Sequence, residues 1–383
     1  QDPRARLVEA DPRQWVREHP GAYEVILHLS GEPLNAAANR LFTRSFFEQA
    51  RRSLKSGGIL AVTVPSSENY LSVETAYANA SVFNALRAVF PHVSLIPGGR
   101  MTLLASETPF SLEPGALASA YLKRRLRTQS ITPPAFPYLL MPGRRDAVLA
   151  RLERTPAPPN DDLKPAAYFR TWRVWLSKFV SPSHFLGACG AVLLGLWGLR
   201  RAWRLRKTLL AEPARMRLFV LGFSGMGLEI VLLISFQLSC GALHWMLGLL
   251  LASFMAGLAA GSGLFASRIP GKIALRGTLL LLGLLTLLIA ALLPRLVSLP
   301  RESALWLFPV LLFADGLLLG LAFPLASGKD PAGAYAADLW GASAGGFLVS
   351  AFFAPLFGLR SSLFLCALLL LPAVLAGRDT KTA

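Results

Sequence analysis

The pattern of apolar and polar positions divides the chain near residue 179. From there to residue 377, long apolar runs are interrupted only by short polar or proline-containing stretches. A helix needs about 20 apolar residues to cross the hydrocarbon core of a bilayer. Segments of about this length predict an all-α bundle of about seven transmembrane helices, at residues 179–199, 218–238, 243–266, 273–293, 304–326, 332–356 and 359–375.

The first part of the chain has a different periodicity. Short strand-like runs alternate with amphipathic helical patterns, and this alternation predicts a parallel sheet of the doubly wound type. The predicted strands are residues 6–10, 24–29, 59–64, 93–96 and 101–105, and the predicted helices are 13–18, 44–54 and 74–90. A glycine turn is expected at 55–58, and the turn at 97–100 favours an antiparallel final pair.

These patterns predict four regions. Residues 1–110 form an α/β Rossmann-like half-domain, and residues 111–178 form a linker that ends in an interfacial helix. Residues 179–377 form the transmembrane bundle, and residues 378–383 form a tail. A parallel sheet is normally paired and covered on both sides, and no strand before residue 24 runs into a glycine-rich cofactor loop. We therefore expect the missing strands to come from a stretch that precedes Gln1.

Charge supports the membrane prediction and excludes a nucleic-acid partner. Only 16% of the residues are charged, and the net charge is +17. The basic residues cluster beside the apolar segments, as expected from the bias of Lys and Arg toward cytoplasmic loops. Their distribution predicts that the 200–217 loop and the C-terminus are cytoplasmic and that the first half lies outside. The three cysteines all fall in apolar segments, so no metal site is expected.

Three acidic residues interrupt the apolar segments: Glu229, Asp315 and Asp338. Burying each of them in a bilayer costs a few kcal/mol, roughly 3 at a helix centre. They are predicted either to form hydrogen bonds between helices or to line a path for protons or cations. Glycines at four-residue spacing predict close packing of helices, in the pairs Gly257 and Gly261, Gly316 and Gly320, and Gly341 and Gly345.

The sequence resembles the membrane-integrated bacterial relatives of spermidine synthase, the polyamine aminopropyltransferases. The resemblance is carried by eight segments, RLVEADPRQWV (6–16), YEVILHLSGEP (23–33), LFTRSFFEQARRSLKSGGILAV (41–62), VFNALRAVFPHVSLIPG (82–98), NDDLKPAAYF (160–169), GFSGMGLEIVLLISFQ (222–237), FMAGLAAGSG (254–263) and AYAADLWGASAGG (334–346). It implies an S-adenosylmethionine-transferase type of fold for the first half. It also implies location in the bacterial inner membrane.

The resemblance also implies where an active site should lie. The family transfers an aminopropyl group from decarboxylated S-adenosylmethionine to putrescine, and a carboxylate accepts the proton of the attacking amine. Asp11 matches the residue that holds the adenine ring, although it is equally suited to cap the next helix. Leu29 stands where the catalytic acid is expected, and Glu32 matches the second acid. His28 should point away from the pocket because adjacent strand residues face opposite ways.

Three functional hypotheses follow. The first is a non-catalytic scaffold or subunit of a membrane complex, a pseudoenzyme that needs no cofactor of its own. The second is an active aminopropyltransferase that uses decarboxylated S-adenosylmethionine and Glu32. The third is a transporter or proton-conducting bundle that uses the intramembrane acids. The expected partners are the lipid bilayer and either other membrane subunits or the missing N-terminal part of the same protein.

Overall fold

A computed structural model describes residues 4–33, 35–67, 71–128, 131–168, 213–241, 244–265, 271–327 and 330–375. The chain forms two compact units, Gln1–Lys178 and Phe179–Ala383. The predicted first transmembrane segment at 179–199, most of the interfacial helix and the tail at 378–383 lie outside the described residues.

The first unit contains a four-stranded mixed sheet in the order β1-β2-β4-β3. Its strands are β1 Tyr23–His28, β2 Leu54–Pro65, β3 His92–Ile96 and β4 Arg100–Ser106. β1 and β2 are parallel, whereas β4 is antiparallel to both β2 and β3. The predicted hairpin is therefore confirmed. The prediction of a parallel sheet holds for one pair only, because the hairpin turns back and inserts β4 beside β2.

The helices of the first unit are α1 Pro12–Glu18, α2 Ala36–Asn39, α3 Arg44–Ser53, α4 Val73–Arg87, α5 Pro114–Lys123, α6 Phe136–Leu139 and α7 Pro142–Arg154. Of these, α3, α4 and α7 pack against the sheet, α1 packs against α3, and α5 contacts α6. The core between sheet and helices contains Leu60 and Val62 of β2 together with Phe46, Phe47 and Phe83 from the helices. Each large apolar side chain buried in this way contributes roughly 2 kcal/mol.

Two local predictions were wrong. Residues 6–10 form no strand, and Leu7 is 91% exposed. A strand needs a hydrogen-bonded neighbour, and in the described part of the chain β1 pairs only with β2. The glycine turn expected at 55–58 is instead part of β2, where it forms a bulge, since Tyr23 pairs with Leu54 whereas Val25 already pairs with Ile59.

The second unit is a helical bundle. Its described helices are α8 Pro213–Cys240, α9 His244–Ala260, α10 Gly271–Val297, α11 Arg301–Ser327, α12 Pro331–Leu348, α13 Ala354–Phe357 and α14 Leu359–Leu375. Within the described residues, five helices are long and apolar enough to cross a membrane: Arg215–Cys240, Trp245–Gly263, Leu275–Val297, Arg301–Ser327 and Pro331–Phe357. α14 is apolar but shorter, so five of the seven predicted spans are supported at span length. A turn at Gly358 (φ +89°) separates α13 from α14.

Glycine contacts hold the bundle together, as the four-residue spacing predicts. A Cβ atom at Gly257 would overlap the carbonyl oxygen of Phe313, and one at Gly316 would overlap that of Phe254. α8 and α12 approach equally closely, because a Cβ at Gly341 would overlap the carbonyl oxygen of Phe219. Backbones therefore touch at both crossings, and only glycine fits at these positions.

Within the first unit, a buried ion pair holds residues 160–167 against α1 and α3. The Arg13 guanidinium donates to both carboxylate oxygens of Asp162, at 3.1 and 2.5 Å. The hydroxyl groups of Thr43 and Ser45 also donate to Asp162. Nearby, Asn160 donates to the carbonyl oxygen of Phe42 at 2.9 Å. These contacts lie within the unit Gln1–Lys178 and join residues from its beginning and from its later part.

Replacing Asp162 with asparagine should destabilise this arrangement strongly. The Asp162→Asn change leaves the buried guanidinium without its counter-charge, which costs on the order of 3 kcal/mol. Hydrogen exchange of α1 and α3 in the full chain would measure the loss of protection. Glu48→Gln is the control, because the Arg44–Glu48 pair is exposed and worth about 0.5 kcal/mol or less. Equal protection in the two variants would contradict the prediction.

Candidate functional sites

The loop after β1 lies at the carboxyl end of the parallel strand pair, where ligands bind in open α/β sheets. Leu29 follows β1 and is 69% exposed. Gly31 adopts a positive φ of +38°, and the next residue, Glu32, is half-buried. The Arg100 guanidinium donates to the carbonyl oxygen of Gly31 at 3.4 Å and joins the loop to β4. Glu32 is the only acid among the described residues of this loop.

An exposed apolar row runs along β1 and into this loop. Val25, Leu27 and Leu29 are 53%, 64% and 69% exposed. They alternate with Ile26 and His28, which face the helices on the other side of the sheet. The row lies at the sheet edge, since β1 has a single neighbour among the described strands. We refer to Val25, Leu27 and Leu29 as the β1 row.

His28 lies on the face of the sheet opposite Leu29, as predicted. Its ring packs edge-on against Phe42, with 4.5 Å between ring centroids. Its Nε2 lies 2.7 Å from the Ser30 hydroxyl, and Nδ1 has no hydrogen-bond partner among the described residues. Burial lowers the pKa of His28 to about 4, against a smaller opposing effect of a backbone hydrogen bond. The imidazole is therefore neutral near neutral pH.

Asp11 serves as the N-cap of α1. Its Oδ1 accepts hydrogen bonds from the backbone N–H groups of Arg13 and Gln14, at 2.9 and 3.1 Å. Its Oδ2 is paired with the guanidinium of Arg40. Both oxygens are thus engaged within the protein, which agrees with the capping role. The pairing with Arg40 is not visible in the sequence, because no local pattern links Arg40 to Asp11, 29 positions earlier in the chain.

Glu229 and Asp315 lie opposite each other in the bundle. Gly225 of α8 packs against Leu319 of α11, and the rings of Phe236 and Phe308 are 5.7 Å apart. Both contacts belong to the same antiparallel register. In this register Glu229, four residues after Gly225, lies opposite Asp315, four residues before Leu319. The two carboxyl groups interact electrostatically, and both are buried near the middle of candidate spans.

Asp338 lies further toward the beginning of α8. A Cβ atom at Gly222 would overlap the Asp338 carbonyl oxygen and approach its carboxylate. Gly222 precedes Glu229 by seven residues, which corresponds to about 10 Å along a helix. Asp338 is half-buried, so it does not join the Glu229–Asp315 pair directly.

Comparison with known proteins gives a partial match. No family model matches the sequence. The chain is 45% identical over 60 residues to the polyamine aminopropyltransferase of Methylococcus capsulatus, which covers 15% of this chain and 21% of that protein. Thus the chain spans about a fifth of the length of that relative. A crystal structure of a probable spermidine synthase from Corynebacterium glutamicum has 20% identity and a TM-score of 0.28, covering 42% of this chain and 55% of that one.

The partial match agrees with the resemblance to spermidine synthases noted in the sequence. It extends to a limited segment of the chain, and it concerns sequence similarity alone. The placement of Leu29, Glu32 and Asp11 therefore decides how far the chemistry of those enzymes can apply to this chain.

His28 predicts a pH dependence of stability. Its pKa is about 4 when folded and about 6.5 when unfolded, so the unfolded chain binds the extra proton first as pH falls. Stability should be complete above about pH 6.5 and should decrease toward pH 4, by on the order of 3 kcal/mol in all. Hydrogen exchange of β1 in the wild-type chain, compared at each pH with that of His28→Leu, isolates the effect of the histidine. A ratio of the two exchange rates that does not change with pH would contradict the prediction.

Proposed function

We propose that this chain is an integral membrane protein with a degenerate spermidine synthase-like unit, which acts as a non-catalytic scaffold or subunit of a membrane complex. The observation that carries the proposal is Leu29, an exposed leucine where the resemblance requires the catalytic acid. A leucine side chain neither accepts a proton nor attracts an ammonium group.

No neighbouring side chain in the described loop replaces the missing acid well. His28 is neutral, buried and on the opposite face of β1. Asp11 is held by the N-terminus of α1 and by Arg40, which leaves neither oxygen free for a cofactor. Glu32 is a carboxylate, but it lies beyond Gly31 in a loop rather than at the strand end. These positions favour a unit that keeps its fold without the transfer chemistry.

The surface of the bundle supports a bilayer as its surroundings. Trp306 is 80% exposed, and Leu284 and Leu288 are 61% and 55% exposed. An apolar surface of this kind is stable only in lipid or against other apolar helices. The basic residues of the 200–217 loop favour the cytoplasmic side of a bacterial inner membrane for that loop and for the C-terminus. With an odd number of spans, the first unit would lie outside.

The β1 row supports the scaffold role. Three exposed apolar side chains at an unpaired sheet edge are a liability in water. A partner that covers this row would remove the liability, and the partner is either another membrane subunit or a segment of the same protein that precedes Gln1. In either case the contact is apolar and includes Leu27.

Transfer activity is the direct test of the non-catalytic proposal. The full-length chain in detergent should bind no methylthioadenosine at millimolar concentration in calorimetry. It should also transfer no aminopropyl group from decarboxylated S-adenosylmethionine to putrescine, because Leu29 cannot accept the amine proton. The Methylococcus capsulatus aminopropyltransferase in the same detergent serves as the active control.

The opposite result would favour an active enzyme. Micromolar binding together with transfer that is lost in Glu32→Gln but kept in Glu24→Gln would overturn the scaffold proposal. Glu24 is a suitable control because it is exposed on β1 and its ion-pair partner in the described structure is Lys55, at the surface. The catalytic acid would then be Glu32.

The partner is tested at the β1 row. Extracted from its native membrane in mild detergent, the chain should migrate in size-exclusion chromatography as a complex larger than its own mass. Leu27→Lys should release the partner, because a buried unpaired charge costs several kcal/mol. Leu122→Lys is the matched control, because Leu122 on α5 is 65% exposed, close to the 64% of Leu27. It lies outside the β1 row, so this variant should leave the complex intact. Equal behaviour of the two variants would contradict the assignment of this surface.

A further inference from the structure

Glu229 and Asp315 are the most deeply placed carboxyl groups of the described bundle. Glu229 is 4% exposed and Asp315 is fully buried. Each lies near the middle of a candidate span, where an isolated charge is costly to insert. Residues of this kind normally face the bundle interior and find a partner there. Their surroundings therefore decide what they do.

Three of the four carboxyl oxygens of the pair are buried and have no hydrogen-bond donor among the described residues. Neither carboxyl oxygen of Asp315 has a hydrogen-bond partner, and the same holds for Oε2 of Glu229. The two groups consequently do not bond to each other either. The nearby hydroxyl groups are already used: Ser224 donates to the carbonyl oxygen of Cys366 at 3.0 Å, and Ser235 donates to that of Val231 at 2.6 Å.

No basic group of the described bundle offsets the two charges. α14 contributes the Cys366 thiol, which interacts electrostatically with Asp315. α12 contributes the acid Asp338, about two turns away along α8. The basic side chains described on the other helices lie toward helix ends: Arg215 and Arg217 on α8, Arg276 and Arg295 on α10, Arg301 on α11 and Arg360 on α14. α9 offers no charged side chain among its described residues.

The occupant that fits this site is a proton. Two carboxylates close together in a low-dielectric interior cannot both ionise. A metal cation such as Ca²⁺ or Mg²⁺ requires six or more oxygen ligands. Within the described residues no group of three His, Cys, Asp or Glu side chains could hold a metal ion. A proton needs only a carboxyl oxygen.

We propose that Glu229 and Asp315 form a proton-binding pair at the centre of the bundle. The pair holds at least one proton near neutral pH, bonded to a carboxyl oxygen, and releases it to water as a hydronium ion. The half-buried Asp338 lies between the pair and the end of α8 that carries the Arg215–Asp330 ion pair. Exchange with water takes place toward that end. The inference rests on the membrane location proposed above, but not on the scaffold role.

Infrared difference spectroscopy of the full chain in lipid nanodiscs tests the pair. Exposed carboxyl groups ionise near pH 4. The infrared band of a protonated carboxyl group should therefore persist when the pH is raised well above 4. The band should be lost or halved in Glu229→Gln and in Asp315→Asn. Glu302→Gln should keep it, because Glu302 is exposed in the first turn of the same helix as Asp315.

A second measurement covers variants that fail to fold. In the wild-type chain, carbon-13 labelling of aspartate should shift part of the band to lower frequency, which assigns that part to a buried aspartate such as Asp315 and the unshifted part to a glutamate, without any substitution. Absence of the band in the wild type, or a band that neither substitution nor labelling alters, would overturn the proposal. Removal of the band by sodium at constant pH would also overturn it and would indicate a metal-cation site. Failure of the chain to enter nanodiscs would instead contradict the membrane location.

Discussion

The folded chain depends on one constraint: a carboxylate removed from water must find compensation. In the first unit this requirement is met completely at Asp162, which accepts from a guanidinium and from two hydroxyl groups. The ion pair between Arg13 and Asp162 joins residues that are 149 positions apart in the chain. It draws residues 160–167 against α1 and α3, where Asn160 completes the backbone hydrogen bonds of the following turn. The polar network thus holds a late segment of the first unit against its earliest helix.

The bundle meets the same constraint in a different way. Its glycine crossings bring α9 against α11 and α8 against α12 at backbone distance, which leaves little room for water at those contacts. The carboxyl groups of Glu229 and Asp315 therefore face each other without a basic partner in the described structure. Where Asp162 is neutralised by an arginine, this pair can be neutralised only by taking up protons. Packing and protonation are consequently linked in the bundle.

Local periodicity predicted the elements well where the signal is local. The helices at α3 and α4, the hairpin of β3 and β4, and the close glycine crossings all follow from short-range patterns. The predicted strand at residues 6–10 failed because a strand exists only with a neighbour, and periodicity does not reveal neighbours. The position of β4 beside β2 is equally non-local. The strand at residues 6–10 and the place of β4 both depend on strand pairing, which local periodicity does not encode.

The candidate sites show the same division. The capping role of Asp11 follows from its place before a helix, whereas its ion pair with Arg40 does not. Glu229 and Asp315 stand out as acids in apolar segments, but their opposition depends on the antiparallel register of α8 and α11. That register emerges only from tertiary contacts such as Phe236 with Phe308.

The two units differ in what their polar groups can do. In the first unit the described buried charges are paired, and the end of β1 presents an apolar side chain where chemistry would need an acid. In the second unit two acids are buried without a counter-charge in the described structure, at a depth where insertion alone is costly. A paired charge contributes to stability, but it is not free to exchange its proton at little cost. An unpaired acid is free to do so, and the proton site that we propose therefore lies in the bundle.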